Sequence, residues 1–266
     1  MYRQLRSEFS GRIATVTLAR PERRNAFSAE LMREMIQCAH ALAARNDLDV
    51  VIVSGAGAVF SAGADLKDTS RWAGGAPLLE QREIAGLGAR MARAWEELPQ
   101  ITIAAIEGYA IGGGLALAVA LDWRVIARDA FVSLPEISLG IPLTWGTLPR
   151  LVNLLGPSRT KRLAILGERV AADEAATLGL VDYVCEPGKA LERAAALAAQ
   201  VLEKPRHSVL MTKETVNAYA AIGAHAVSHM AHDQLELAAS SPESRAARAA
   251  AAKGRSARRS RDQSGR

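Results

Sequence analysis

The chain has 266 residues, 49% of them hydrophobic, and a formal net charge of +5. That is enough to bury one sizeable core or a core plus a small appendage, and no stretch approaches the roughly 18 apolar residues of a membrane span. The start, Met1-Tyr2-Arg3-Gln4, carries no apolar signal segment, so a cytoplasmic protein is expected. Two cysteines, Cys38 and Cys185, supply neither a disulfide framework nor metal-ligand spacing, and both are expected to pack as core residues.

In chain order, Ala14, Val16 and Leu18 alternate with Thr15 and Thr17, the period-two pattern of a half-buried strand. Ser28 then stands as a helix N-cap before Leu31, Met32, Met35, Ile36, Ala39 and Leu42, which recur at helical spacing. Val50–Val53 is a short strand, residues 72–77 read as a Gly/Pro loop, and Ile84–Leu98 reads as a helix stopped by Pro99. Ile101–Ile106 is a buried strand and Phe131–Leu134 another. Thr147–Leu155 is a helix closed by Gly156-Pro157, and Ala-rich helices follow from Leu191. Strands alternating with helices before the chain turns all-helical indicate an α/β core with a helical C-terminal region.

Residues 245–266 carry eight basic side chains against Asp262 alone, a surplus of seven that leaves residues 1–244 at −2. The high isoelectric point thus belongs to an Ala/Arg/Ser tail, read as a frayed helix passing into disorder. No aromatics interleave its charges, so no nucleic-acid partner is expected. His225, His229 and His232 fall at i, i+4 and i+7, one face of a helix. Ala226 breaks the His-Glu-x-x-His pattern and three ligands would be strung along about 10 Å of axis, so no metal is expected.

Two segments carry the chemistry. Phe60-Ser-Ala-Gly-Ala-Asp-Leu66 and Ala105-Ile-Glu-Gly-Tyr-Ala-Ile-Gly-Gly-Gly114 each run an apolar strand into a glycine-lined turn. Two such turns can aim two main-chain N–H groups at one oxygen, which suits a carbonyl that becomes an enolate; fixed donors of this kind are worth roughly 3 to 4 kcal/mol each. Leu115–Leu121 is helix-forming, so Gly112–Gly114 sit at a helix N-terminus with its free N–H groups and partial positive charge. The triplet lacks the third glycine of G-x-G-x-x-G, with Leu117 in its place, and neither a Gly-Lys-Ser/Thr sequence nor a G-x-S-x-G elbow occurs.

At these residues the sequence resembles the enoyl-CoA hydratase/isomerase, or crotonase, family. The matching pieces run in order: Arg20-Pro-Glu-Arg-Arg-Asn-Ala-Phe27, Phe60–Asp65, Gly108-Tyr-Ala-Ile-Gly-Gly-Gly114, Leu134-Pro-Glu-Ile-Ser-Leu-Gly-Ile-Pro142 and Ala175–Asp182. The resemblance implies a crotonase-type β-β-α spiral core, although no sequence repeat is visible. It also implies an acyl-CoA substrate, no separate cofactor because coenzyme A enters with the substrate, and assembly as a homotrimer or homohexamer through the C-terminal helices. Three units are expected: residues 1–190 as spiral core with the acyl-CoA site, 191–244 as a helical oligomerisation region, and 245–266 as the basic tail.

By resemblance, the N–H groups of Ala64 and Gly113 hold the thioester oxygen and Glu136 is a catalytic carboxylate. Arg24, Ala26, Ala62, Asp65, Leu66, Lys67 and Gly112 match positions along the CoA and thioester path. Leu143 and Trp145 stand where an acyl pocket would have its wall. The family's hydratases carry a further carboxylate 20 residues before the second, and here that position is Ala116. A single base suits a double-bond shift, or a specialised hydration or lyase reaction, better than ordinary hydration. Glu107 is the nearest other acid, at a strand end where a capping or solvated role is expected. The alternative reading is a non-catalytic acyl-CoA-binding or assembly subunit.

Overall fold

In the computed structural model, which describes residues 2–68 and 77–250, the strands are β1 (Leu5–Ser10), β2 (Ile13–Leu18), β3 (Val50–Gly55), β4 (Ile101–Ile106), β5 (Tyr109–Ile111), β6 (Trp123–Ala127), β7 (Phe131–Ser133), β8 (Val170–Ala171) and β9 (Tyr183–Cys185). The helices are α1 (Ala29–Ala43), α2 (Leu78–Glu96), α3 (Gly113–Ala118), α4 (Thr147–Leu166), α5 (Ala172–Leu178), α6 (Ala190–Leu202), α7 (Arg206–Ala220), α8 (Ala224–Ser228) and α9 (Ala231–Ser240). Residues 242–250 form a last helical stretch.

A six-stranded sheet runs β1-β2-β3-β4-β6-β9, antiparallel only at its β1 edge. Beside it runs a second ladder of shorter pieces: a bridge from Phe27 to Ala64, another from Ser61 to Ala110, then β5 on β7. Each pass of the chain therefore lays one strand in the long sheet and one short segment in the second ladder, and the next pass stacks in parallel on the last. That is the β-β-α spiral. Its repeat is one of position and burial, with little residue identity, because Val16, Val53, Ala104 and Arg124 occupy one row of the sheet.

The central strands are buried on both faces, which is why β3 and β4 read as unbroken apolar runs. On one side α1, α2 and α3 close a core around Val51, Val53, Ala104 and Ile106; on the other, Ala194, Leu197, Ala198 and Val201 of α6 cover Val50, Ile52, Ile103 and Val125. The α1 start is set by Ser28, whose Oγ accepts from Leu31 N at 3.1 Å, and its apolar stripe is buried.

Some elements depart from the sequence reading. The helix expected at Ile84 begins at Leu78, within reach of the loop signals that precede it. Gly156 leaves helical geometry (φ 73°, ψ 168°), but Pro157 restarts a helix at once, so α4 is two helices meeting at a kink. The three histidines do not share a straight helix, because α8 ends at Ser228 and α9 starts at Ala231. Residues 242–250 carry helix past the expected boundary at 244. The tail beyond residue 250 and most of the 72–77 loop lie outside the described residues.

The helical C-terminal region is latched to the core by a buried cation. Lys213 of α7 donates to Gln100 O and to Asp122 Oδ2, both at 2.6 Å, while Asp122 also accepts from Thr102 N and Thr102 Oγ1. Burial pulls Lys213 below its ordinary value and Asp122 opposes that pull. Replacing Asp122 with Ala strands the cation, and breaking a buried pair from one side costs about 3–5 kcal/mol. At about 2–4 °C per kcal/mol for a chain of this size, the melting temperature should fall by roughly 10 °C. A shift under about 3 °C in a thermal melt would show that the pair contributes no net stability.

Candidate active site

The first turn is fixed from below by residues that the sequence reading passed over. Asn25 is fully buried; its Nδ2 donates to Ala56 O and Val59 O, each at 2.9 Å, and its Oδ1 accepts from Arg20 N at 3.1 Å. Ser61 Oγ donates to Asn25 O at 2.8 Å and accepts from Gly63 N at 3.1 Å. The signal available was Asn25 itself, since its φ of 52° lies in the left-handed region where Asn is the best-tolerated residue with a side chain. Phe27 N donates to Gly63 O and Asp65 N donates to Phe27 O. With its two neighbours bound to Phe27, Ala64 turns its own N–H to the opposite side, where it meets no partner among the described residues.

The second turn presents the Gly113 N–H. Gly112 (φ 54°, ψ −118°) adopts a conformation restricted to glycine, donates to Ser133 O at 2.9 Å and caps α3. Gly113 opens α3, so its N–H has no intrahelical acceptor and none elsewhere among the described residues. The two turns touch: a Cβ on Gly63 would lie 2.5 Å from Ile111 O and 3.1 Å from Gly113 N. Two free N–H groups are thereby brought onto neighbouring turns.

Glu136 arrives from β7 through Leu134-Pro135, held where Ser133 Oγ donates to Gly167 O at 3.0 Å. A Cβ on Gly112 would sit 2.4 Å from Glu136 Oε1, so the carboxyl group lies against the Cα just before Gly113. Its Oε2 is closed off from solvent without a hydrogen-bond partner. Burial pushes the Glu136 carboxyl up from 4.5 to about 7, opposed only by its own backbone N–H. An acid with one unused oxygen, titrating near neutrality beside two free donors, is the combination expected of a proton-transfer group.

Ala116, one helical turn past Gly113, is 2% exposed and belongs to the core, so no second carboxylate stands there. Glu107 turns away: its carboxylate accepts from Gly188 N at 3.0 Å and Ala190 N at 2.8 Å, capping α6. Asp65, expected along the CoA path, is turned inward instead, paired with Arg20 at 3.0 Å and accepting from Lys67 N. Ala26 is buried with its carbonyl taken by the Arg20 guanidinium, and Ala62 N donates to Arg24 O. The Arg24 and Lys67 side chains are exposed, Leu66 is half-buried, and Leu143 packs partly buried against the core. Trp145 is 6% exposed and lies edge-on to Phe27 with ring centres 5.7 Å apart. A cavity of about 730 Å³ opens elsewhere, between α7 and the start of β6; Lys213 and Asp122 line it, and Ala64, Gly113 and Glu136 do not.

A raised carboxyl value has a fixed sign in stability. Below about pH 4.5 Glu136 is protonated in the folded and unfolded chains alike; between 4.5 and 7 the unfolded chain loses its proton first, so stability falls as pH rises, and above 7 the loss is constant. Glu136→Gln removes the buried charge. At about pH 8 the variant should exceed the wild type by on the order of 1–3 kcal/mol in urea unfolding, and at about pH 4 the two should match. Equal stability at both pH values would mean that the carboxylate is solvated.

The family model described as enoyl-CoA hydratase/isomerase matches residues 8–256. The short-chain-enoyl-CoA hydratase of Clostridium acetobutylicum is 32% identical over 211 residues, covering 79% of each chain. Among solved structures, an enoyl-CoA hydratase/isomerase from Xanthobacter autotrophicus Py2 superposes with a TM-score of 0.86 at 30% identity, covering 97% of this chain and 99% of that one. An enoyl-CoA hydratase from Bacillus anthracis superposes at 0.76 with 28% identity, covering 86% and 90%. A crotonase-type spiral that brings two free main-chain donors and a buried carboxyl group together, matched along nearly its whole length, belongs to the enoyl-CoA hydratase/isomerase family.

Proposed function

We propose that this enzyme acts on acyl-CoA thioesters with Glu136 as its one proton-transfer carboxylate, and that its best-suited reaction is the shift of a double bond from the β,γ to the α,β position. The observation that carries this reading is the unpartnered, buried Oε2 of Glu136 beside Gly112 and Gly113, with alanine at position 116. The thioester oxygen accepts from Ala64 N–H and Gly113 N–H. Glu136 takes the proton from the α-carbon, and the electrons of that C–H bond spread over a dienolate whose negative charge rests on the thioester oxygen. The protonated Glu136 then returns the proton to the γ-carbon, the double bond settles at α,β, and the carboxylate is regenerated. A group near 7 can serve both steps, since neither its acid nor its base form is strongly disfavoured at neutral pH. No cofactor is needed. A hydration or lyase variant fits the same atoms where a substrate hydroxyl or a held water supplies the missing group.

Assembly is part of this reading. Tyr219, Ile222, Val227 and Leu237 of the C-terminal region are 71–79% exposed, an apolar surface that a trimer or paired trimers would cover. We assign the enzyme to the cytosol; no described helix is long and apolar enough to cross a membrane.

The discriminating experiment is product analysis by mass spectrometry after incubation with β,γ- and α,β-enoyl-CoA thioesters. Isomerisation keeps the mass and moves the double bond, whereas hydration adds one water. Glu136→Gln should lower kcat by at least about 100-fold and leave acyl-CoA affinity within a few fold. Wild-type kcat/KM should rise with pH through about 7. Unchanged kcat in the variant would remove Glu136 as the base, and tight CoA binding without turnover of any thioester would establish a binding subunit instead.

Ala116→Glu tests the missing carboxylate directly. Although the new side chain enters a buried position and should lower the melting temperature, hydration of crotonyl-CoA should rise at least about tenfold, within the range of a general acid or base. Fast crotonyl-CoA hydration by the wild type would overturn the single-carboxylate reading.

A further inference from the structure

We infer that Trp145, seated in a notch that Gly88 opens in α2, limits the site to short acyl chains; this rests on the acyl-thioester reading above. The indole is held on three sides. A Cβ on Gly88 would lie 1.9 Å from Trp145 Cε2 and 2.1 Å from its Nε1, and a Cβ on Gly113 would lie 2.5 Å from its Cζ3 and 2.6 Å from its Cη2. The ring therefore fills the gap between α2 and the N-terminus of α3, with the edge of Phe27 against it at an interplanar angle of 76°.

Gly88 has no other reason to be glycine. It lies inside a regular helix, where glycine is less favourable than alanine, and its φ is not in the left-handed region. The three atoms nearest to its missing side chain all belong to the indole, at 1.9–2.4 Å. The benzo edge of the ring meets Gly113, whose N–H receives the thioester oxygen in the proposed reaction. An acyl chain leaving that oxygen meets a rigid, 6%-exposed ring with no room to yield toward α2.

Leu143, Thr144 and Gly146, the neighbours of Trp145 along the chain, line a cavity of about 390 Å³ together with Val152 and Ile222, but Trp145 is absent from that lining and its ring points the other way, into the core. Truncating the ring therefore lengthens the acyl path by the space of the indole itself, between α2 and the N-terminus of α3.

The test is a chain-length profile: kcat/KM of the full-length protein for isomerisation of the β,γ-unsaturated thioesters 3-butenoyl-, 3-hexenoyl-, 3-octenoyl- and 3-decenoyl-CoA. The wild type should fall steeply along that series. Trp145→Ala should raise the octenoyl-to-butenoyl ratio at least about tenfold, the scale on which apolar pockets discriminate chain length, and Trp145→Leu does the same service if the alanine variant folds poorly. Gly88→Ala should lower 3-butenoyl-CoA turnover about tenfold by driving the ring toward Gly113, and Gly88→Ala with Trp145→Ala should behave as Trp145→Ala alone, because the clash has gone. A wild type that prefers decenoyl-CoA, an unchanged profile in both Trp145 variants, or a double variant as poor as Gly88→Ala would each overturn the inference. Failure of the underlying chemistry looks different: no thioester of any length turns over. In that case calorimetric affinities of butyryl- and decanoyl-CoA for the wild type and Trp145→Leu make the same comparison, and equal length preference overturns the inference.

Discussion

The contact on which this structure turns is the bare Cα of Gly112 against the carboxyl group of Glu136. Any side chain at 112 would strike Oε1 at 2.4 Å, and the positive φ there is what lets the chain leave β5 and start α3. One residue thus joins the carboxyl group to the helix N-terminus whose next N–H is free. The opposite donor is brought in by the spiral itself. Each pass stacks on the one before, so the Phe27 and Ala64 segments must lie beside β5, and Gly63 closes the remaining gap to Gly113. The site is assembled from three successive passes of the chain.

Two opposing effects act on Glu136 in this position. A hydrogen bond from its own backbone N–H favours the charged form. Exclusion of water from Oε2 favours the neutral form, and a rise from 4.5 to about 7 corresponds to roughly 3 kcal/mol. Burial wins. The result is a carboxyl group that destabilises the folded chain when charged, and that cost is the same property that suits it to the proposed role of base at neutral pH.

The sequence made the strands, the α1 cap and the glycine turns legible because each has a local cause. Ser28, the Ala14-Val16-Leu18 alternation and the double-sided apolar run of Val50–Val53 each state their structure within a few residues. The spiral was legible only by resemblance, since stacked positions share burial while Arg124 can follow Val16, Val53 and Ala104 in one row. Glu136, Ala64 and Gly113 lie on neighbouring turns, whereas the pairing of Asp65 with Arg20, 45 residues away, is one that no spacing rule reveals. Asn25, Ser61 and the Gly88 notch escaped for the same reason. Their roles are contacts across passes of the chain, and Gly88 in particular looks like a simple helix defect until Trp145, 57 positions later, is set against it.

The far end of α3 shows how the site is tied to the rest of the molecule. Arg124, 2% exposed, donates to Ala118 O and Leu121 O and pairs with Asp182 at 2.9 Å, so a buried guanidinium meets one carbonyl at the C-terminal end of α3 and another three residues past it. Burial pulls its value down and Asp182 with Asp122 oppose that, yet Nε stays without a partner, so the arrangement is not optimal for stability alone. Two residues earlier in the chain, Asp122 holds Lys213 of α7. The short stretch from Asp122 to Arg124 therefore anchors the C-terminus of the helix whose N-terminus carries the Gly113 donor, and at the same time receives the latch of the helical C-terminal region. One ion pair, Lys213 to Asp122, and the Arg124 guanidinium two residues on thus connect α7 to the end of the six-residue helix that opens at Gly113.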